Sequence, residues 1–363
     1  MYNIRLTHKE IEIEKIPEAG RKLREFVQAN PINDYVFLQT CNRAELYFNG
    51  ASVTPPNEFI VEDGEGAFKH LLRIACGLES FVVGETEILS QLKDAYQTAK
   101  REGHCSNKLG RYFEAAIKVG KKVRRVTRIS EGKVSVVSLA LDYIHGLLGN
   151  FDGKKVLIIG AGEIGTKVAK ALKDKKVEKI LVANRGYERA IKLAREIGAN
   201  AYKLSHLDTL LQGVDIVICA TSAPHYILTK ERIKAIKQKL VVVDLSVPRN
   251  VDESVKEFEN VELVTFKDLA HKAGENLRMR MDEVRKVEKI IEQEIKKGED
   301  DLRELYKHAE EIRQREVEKA LRLLTSRPPE EVIEDLSKVL VKKLYHPLRE
   351  SSKKVRMMAP RGY

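Results

Sequence analysis

Apolar residues recur along this chain in three textures. Over residues 1 to about 50, strand-like runs flank one helix: IRLTHKEIEIEKI, then PEAGRKLREFVQAN with helical spacing, then DYVFLQT and AELYFN. This predicts an α+β beginning. From Gly66 to about Arg128, apolar positions return every three or four residues in AFKHLLRIACGLESF, ILSQLKDAYQTAK and GRYFEAAIKVGKKVRRV, which predicts helices. A helix from Val134 to Leu148 leads into the third texture. There VLIIG, ILVANR, AYKL, DIVICATS, LVVVDLS and EFENVELV alternate with amphipathic helices. Near-continuous apolar strands of this kind imply a parallel sheet covered on both faces, a doubly wound Rossmann domain. From Asp268 the chain is charged and helical. Leu277, Met281, Val284, Val287, Ile291 and Ile295 form one apolar stripe along a helix of roughly 45 Å, at 1.5 Å per residue. Two more helices follow, the second opened by SRPPEE. The predicted architecture is therefore multidomain α/β, with domains over 1–130, 131–267 and 268–363.

Length agrees, since 363 residues exceed what one hydrophobic core usually serves. With 43% apolar and 33% charged residues the composition is globular, and disorder is excluded for most of the chain. The formal charge of +11 attracts polyanions, nucleic acid first among them. Lys- and Glu-rich surfaces also arise as ion-pair networks in heat-adapted proteins, and charge by itself leaves both readings open. The start MYNIRLTHKE carries no signal-peptide pattern and no apolar run reaches membrane-spanning length, so a cytoplasmic location is expected. Cys41, Cys76, Cys105 and Cys219 form no C-x-x-C pair, so neither a zinc site nor a disulfide framework is expected.

Two segments carry chemistry. Gly160, Ala161, Gly162, Glu163, Ile164 and Gly165 form a G-x-G-x-x-G pattern that follows an apolar strand and opens a helix. In that setting the glycines let the backbone approach a pyrophosphate, and the helix N-terminus offers it free N–H groups. At the end of the second strand, where an NAD enzyme places an acid on the ribose, stand Asn184 and Arg185. A guanidinium suits the 2′-phosphate of NADPH; the bland alternative is a solvated loop arginine. The second segment is Thr40-Cys41-Asn42-Arg43-Ala44-Glu45, between two strand-like runs. A lone cysteine is more often a buried apolar residue than a nucleophile. A cation two positions away and a polar turn instead favour an accessible thiolate at Cys41. Cys76 and Cys219 read as core. A reactive thiol beside a nicotinamide domain suggests acyl chemistry, in which a cysteine thioester is reduced by hydride.

The runs LQTCNRAELYF, HLLRIACGLESFVVGETEILSQLKDAY, ANRGYERA and VVVDLSVPRNVD together resemble glutamyl-tRNA reductase in order and spacing, from THKE to KLYHPLRE. The resemblance implies an N-terminal catalytic domain, an NADPH-binding Rossmann domain, and a C-terminal helical dimerisation domain joined by a long spinal helix. It implies a homodimer acting on glutamyl-tRNA, without a metal, at the first step of tetrapyrrole synthesis. Its unstable semialdehyde product would pass directly to the aminotransferase that follows. Cys41 would be the nucleophile, with Thr40, Asn42 and Arg43 lining its pocket. Arg43 would hold the substrate's side-chain carboxylate. His70 matches the family's active-site histidine, and polarising the ester or protonating the departing ribose oxygen are both open to it. Ser80, Glu85, Thr86, Glu87 and Gln91 fall on the other substrate positions. The family commonly carries an amide where Glu87 stands and proline where Thr86 stands, and its opening run is longer than THKEIEIEKI. The basic stretch from Lys118 to Arg128 then becomes a surface for tRNA, as well as a solvated helix face. Two rivals are a shikimate-type dehydrogenase acting on a free small molecule and a tRNA-binding protein without catalysis. Neither accounts for the N-terminal motifs together with an intact Cys41, Arg43 and His70.

Overall fold

The computed structural model describes residues 1–50, 53–132, 135–278 and 280–357. The chain forms two compact units, Met1–Ile291 and Glu292–Tyr363.

The first unit opens with an antiparallel sheet of order β2-β3-β1-β4, built from β1 (Tyr2–Thr7), β2 (Asp34–Gln39), β3 (Arg43–Asn49) and β4 (Ile60–Asp63). Alternation along β3 sends Ala44, Leu46 and Phe48 to one face, where they pack with Ile4 and Leu6 against Leu23 and Phe26 of α1 (Ile16–Ala29). The other face carries Arg43, Glu45 and Tyr47, and it is not solvated. It is roofed by α2 (Gly64–Ala75), α3 (Glu87–Arg101) and α4 (Asn107–Val126), with Tyr47 edge-on to Phe113 at 5.4 Å. Arg43 and Glu45 are 1% and 0% exposed, so a charged face has become interior.

A parallel sheet of order β10-β9-β8-β5-β6-β7 follows. After α5 (Val136–Leu148), its strands are β5 (Lys155–Ile159), β6 (Lys179–Asn184), β7 (Asn200–Lys203), β8 (Ile216–Cys219), β9 (Leu240–Asp244) and β10 (Val261–Val264). The helices between them are α6 (Glu163–Lys173), α7 (Tyr187–Ile197), α8 (Leu207–Leu211) and α9 (Lys230–Ile233). Separate apolar cores cover the two faces of this sheet, as near-continuous apolar strands require. Phe81 and Val82, from the loop after α2, pack into one of those cores, and Phe81 meets Phe266 of α10 (Phe266–Arg278) edge-on at 5.7 Å. The antiparallel-sheet half and the parallel-sheet half are thus packed together within one unit.

Three expectations change. The strand read through IRLTHKEIEIEKI stops at Thr7, because the Glu10 carboxylate accepts from Thr7 N–H at 2.8 Å and from its hydroxyl at 2.6 Å, closing a turn. The single spinal helix is two, α10 and α11 (Met281–Leu323), and at the break Arg280 turns its guanidinium to the Ile129 and Glu131 carbonyls. Arg124, read as part of a basic surface, points inward and donates to Ala75 O at 2.6 Å and Glu85 O at 2.8 Å, fixing the loop that carries Ser80 and Glu85. The predicted helix start at Val134 lies outside the described residues. The second unit holds the rest of α11 with α12 (Pro329–Met357), which starts on Pro329 with Glu330 and Glu331 in its first turn. Among the described residues no helix is long and apolar enough to cross a membrane.

Candidate functional site

Thr40 to Arg43 make the tight connection between β2 and β3. Thr40 N–H donates to Arg43 O at 3.0 Å and Asn42 N–H to Thr40 Oγ1 at 3.1 Å. Cys41 sits at the apex of that turn, in a pocket shared with Asn42 and Arg43, with Ser80, Phe81 and Glu85 of the loop after α2, and with Glu87 and Gln91 of α3. Val136, Ile164 and Phe266 close it from the dinucleotide half. Ile164 belongs to the G-x-G-x-x-G turn, so the thiol and the turn meant for the cofactor wall one cavity. Among the described residues, three buried polar atoms there have no hydrogen-bond partner: Asn42 Oδ1, Arg43 Nε and Ser80 Oγ. Orphaned donors and acceptors around one cavity are the signature of a site built for a polar ligand.

Sequence reasoning expected Arg43 to hold Cys41 as the thiolate, and the structure reverses this. Burial, then the charges of Glu85 and Glu87, push the thiol up to about 12, and Arg43 opposes them only weakly. The guanidinium is already committed: it pairs with Glu45 at 2.9 Å and donates to the Glu79 carbonyl. Its Nε finds no partner among the described residues. Glu45 also accepts from Tyr47 Oη at 2.8 Å and lies 3.0 Å from His70 Nε2. Burial would raise its pKa, but His70, Arg43 and Tyr47 together hold it well below the usual carboxylate range. His70 therefore stands behind Arg43 and Glu45. It lines a different groove, with Arg5, Lys9 and Lys69, rather than the pocket of Cys41. Glu85 makes no ion pair or side-chain hydrogen bond among the described residues, and burial, then the charge of Glu87, lift it from 4.5 to about 7.

Thr86 lines an open cleft between α3, α5 and α6 and does not line the Cys41 pocket. Glu87 borders both spaces and forms an ion pair with Lys167 of α6. Glu45 and Lys167 were missed as site residues by sequence reasoning. Glu45 could have been found as the middle member of the charged face of RAELYFN; Lys167 had no local signal.

The dinucleotide turn fits its cofactor. A Cβ on Gly160 would stand 2.2 Å from Ala220 O, and one on Gly165 2.0 Å from Gly160 O, so backbone fills those positions. Beside Gly162, by contrast, there is open space within 4 Å. No side chain caps the N-terminus of α6, which leaves its first turn able to take an anion. Asn184 pins the turn, accepting from Ala161 N–H at 3.3 Å while donating to Gly186 O at 2.9 Å. Arg185 is exposed at the strand end. At the neighbouring strand ends Asp244 accepts from Ser246, Asn250 and Val251 N–H groups, which explains the polar residues of VVVDLSVPRNVD as loop ties.

Comparison with known proteins agrees with this arrangement. Residues 4–127 match the glutamyl-tRNAGlu reductase N-terminal domain and 286–358 its dimerisation domain, while 142–272 match the shikimate/quinate 5-dehydrogenase family. The glutamyl-tRNA reductase of Methanopyrus kandleri is 40% identical, over 94% of this chain and 91% of its own. That of Methanothermobacter thermautotrophicus is 40% identical over 99% and 94%. The solved structure of the Methanopyrus kandleri enzyme superposes with a TM-score of 0.50 at 36% identity, covering 98% of each chain. The shikimate-type match is confined to the doubly wound region, whereas the reductase relatives span catalytic turn, dinucleotide turn and C-terminal helices alike; the chain belongs to the glutamyl-tRNA reductase family.

Proposed function

We propose that this protein reduces the glutamyl group of glutamyl-tRNA to glutamate-1-semialdehyde through a thioester on Cys41, using NADPH, at the entry to tetrapyrrole synthesis. The observation that carries the reading is the shared cavity. A thiol, three unpartnered polar atoms and the dinucleotide turn meet in one place.

A thiol held near 12 needs a proton acceptor as it attacks. Glu85 is in the pocket, unpaired, and titrates near neutrality. The Cys41 sulfur bonds to the ester carbon, its proton passes to Glu85, and the bond to the tRNA ribose oxygen breaks. Protonated Glu85 then returns the proton to that oxygen. His70 is a positioning residue that acts on Arg43 through Glu45, and Arg43 Nε with Ser80, Thr40, Asn42 and Gln91 receives the glutamyl group. Gly160 to Gly165 and Asn184 would hold the cofactor, and Arg185 would suit its 2′-phosphate. NADPH, when bound, supplies the hydride that reduces the thioester.

The functional division we adopt is 1–130 for catalysis, 131–267 for the cofactor and 268–363 for the helical dimerisation region. Tyr306, Leu321, Ile333 and Val341 are exposed apolar residues on α11 and α12 that a second copy would cover in a homodimer. The aminotransferase that consumes the semialdehyde is the expected partner, in the cytoplasm. Single-turnover reduction of glutamyl-tRNA tests the reading, with free glutamate as control and NADPH compared with NADH. Semialdehyde should form only from the charged tRNA, faster with NADPH, and not at all in Cys41→Ser. Full turnover in that variant removes the cysteine, and turnover without tRNA returns the chain to the free-substrate dehydrogenases.

A further inference from the structure

The cavity around Cys41 is small, about 40 Å³, where small-molecule sites usually offer ~300 Å³ or more. Ile164 is one of its walls on the dinucleotide side, and moving that wall would make room for a glutamyl ester. What holds Ile164 there is visible next to it. Lys167, one turn along α6, forms ion pairs with Glu87 of α3 and, at 2.8 Å, with Glu163 at the start of its own helix. Lys167 thus stands between two carboxylates from different halves; burial, then Glu163, raise the Glu87 carboxyl, while Lys167 opposes them. This three-membered contact bridges the catalytic and dinucleotide halves at the rim of the pocket, and Glu163 is a residue of the G-x-G-x-x-G turn itself.

We propose that Lys167 and Glu87 are positioning residues for hydride transfer: their contact docks the dinucleotide turn over Cys41, and it must part for the charged tRNA to load. Glu87 thereby has a use its chemistry suits. An amide at the same position would keep a hydrogen bond to Lys167 but lose the charge attraction across the interface. The contact is partly exposed, with Lys167 at 39% and Glu87 at 25%, so it is weak enough to open and close within a catalytic cycle.

The proposal rests on the thioester reading, and the test separates the two. Cys41 alkylation by iodoacetamide, with Cys105 replaced by Ser, reports whether the pocket is covered. Thioester formation without NADPH reports acyl transfer, and semialdehyde release with NADPH reports reduction. Lys167→Glu puts three carboxylates together. It should raise Cys41 alkylation and slow reduction, each by about tenfold, while thioester formation is retained. Lys167→Met should shift both in the same direction by less. Adding Glu87→Lys to Lys167→Glu restores one lysine between two acids and should restore reduction, which a merely misfolded variant would not allow. Parental alkylation and reduction in Lys167→Glu, or failure of the swap to rescue, overturns the docking role. Absence of any thioester on Cys41 in the parent protein would instead overturn the reading beneath it.

Discussion

Replacing Glu85 by Gln tests the electrostatics of the pocket without adding bulk. The carboxyl is lifted from its ordinary 4.5 to about 7 by burial and by Glu87. The folded protein therefore holds its proton more tightly than the unfolded chain does. Stability from this group is complete below pH 4.5 and is lost as pH rises through 7, because the unfolded state then releases a proton that the folded state retains. A displacement of this size corresponds to roughly 3 kcal/mol at 1.36 kcal/mol per pKa unit. Gln cannot ionise, so the variant should match the parent near pH 4.5 and exceed it by up to roughly 3 kcal/mol above pH 7. Urea unfolding at pH 4.5, 6 and 8 measures this directly. Activity should move the other way. Thioester formation in the parent should rise with pH through about 7 as Glu85 ionises. Gln should remove that rise and slow the step by about 100-fold. Alkylation of Cys41 should meanwhile become faster, since one of the charges raising the thiol is gone. Equal stability of variant and parent at pH 8 would refute the burial argument, and an unchanged pH profile of thioester formation would refute the proton-acceptor role.

Three further outcomes follow from named contacts. Glu45→Gln leaves Arg43 and His70 without their shared carboxylate in a fully buried position. It should cost about 3–5 kcal/mol in denaturant unfolding and weaken glutamyl-tRNA binding. Gly165→Ala would set a methyl 2.0 Å from Gly160 O, so NADPH binding, followed by fluorescence titration, should be lost while thioester formation persists. Arg185→Asp should invert the preference for NADPH over NADH by at least about tenfold in reduction rate, the change expected from replacing a charge-assisted contact by repulsion.

How much of this was legible in the sequence depends on how local each cause is. The strand, turn and helix around Gly160 to Gly165 are set by neighbouring residues, so pattern alone identified them, and the strands of the parallel sheet followed from their unbroken apolar runs. The turn at Cys41 was legible for the same reason. Arg43, Glu45 and Tyr47 were not. Alternation in RAELYFN assigns them to a polar face, and a polar face normally faces water; only the roof of α2, α3 and α4 makes it interior. That roof also explains why the thiol was misread. Sequence shows the cation two residues from Cys41, but not that Glu45 and the Glu79 carbonyl have already claimed it, nor that Glu85 and Glu87 come in from another element. His70 changes meaning on the same ground: its motif marks it as a site residue, while its position 3.0 Å from Glu45 makes it a support for Arg43. Cys41, Arg43 and His70 were found by local pattern, and their roles were set by what the fold places against them. Charge in a pocket follows from which buried partners are already satisfied, and a motif carries no record of that.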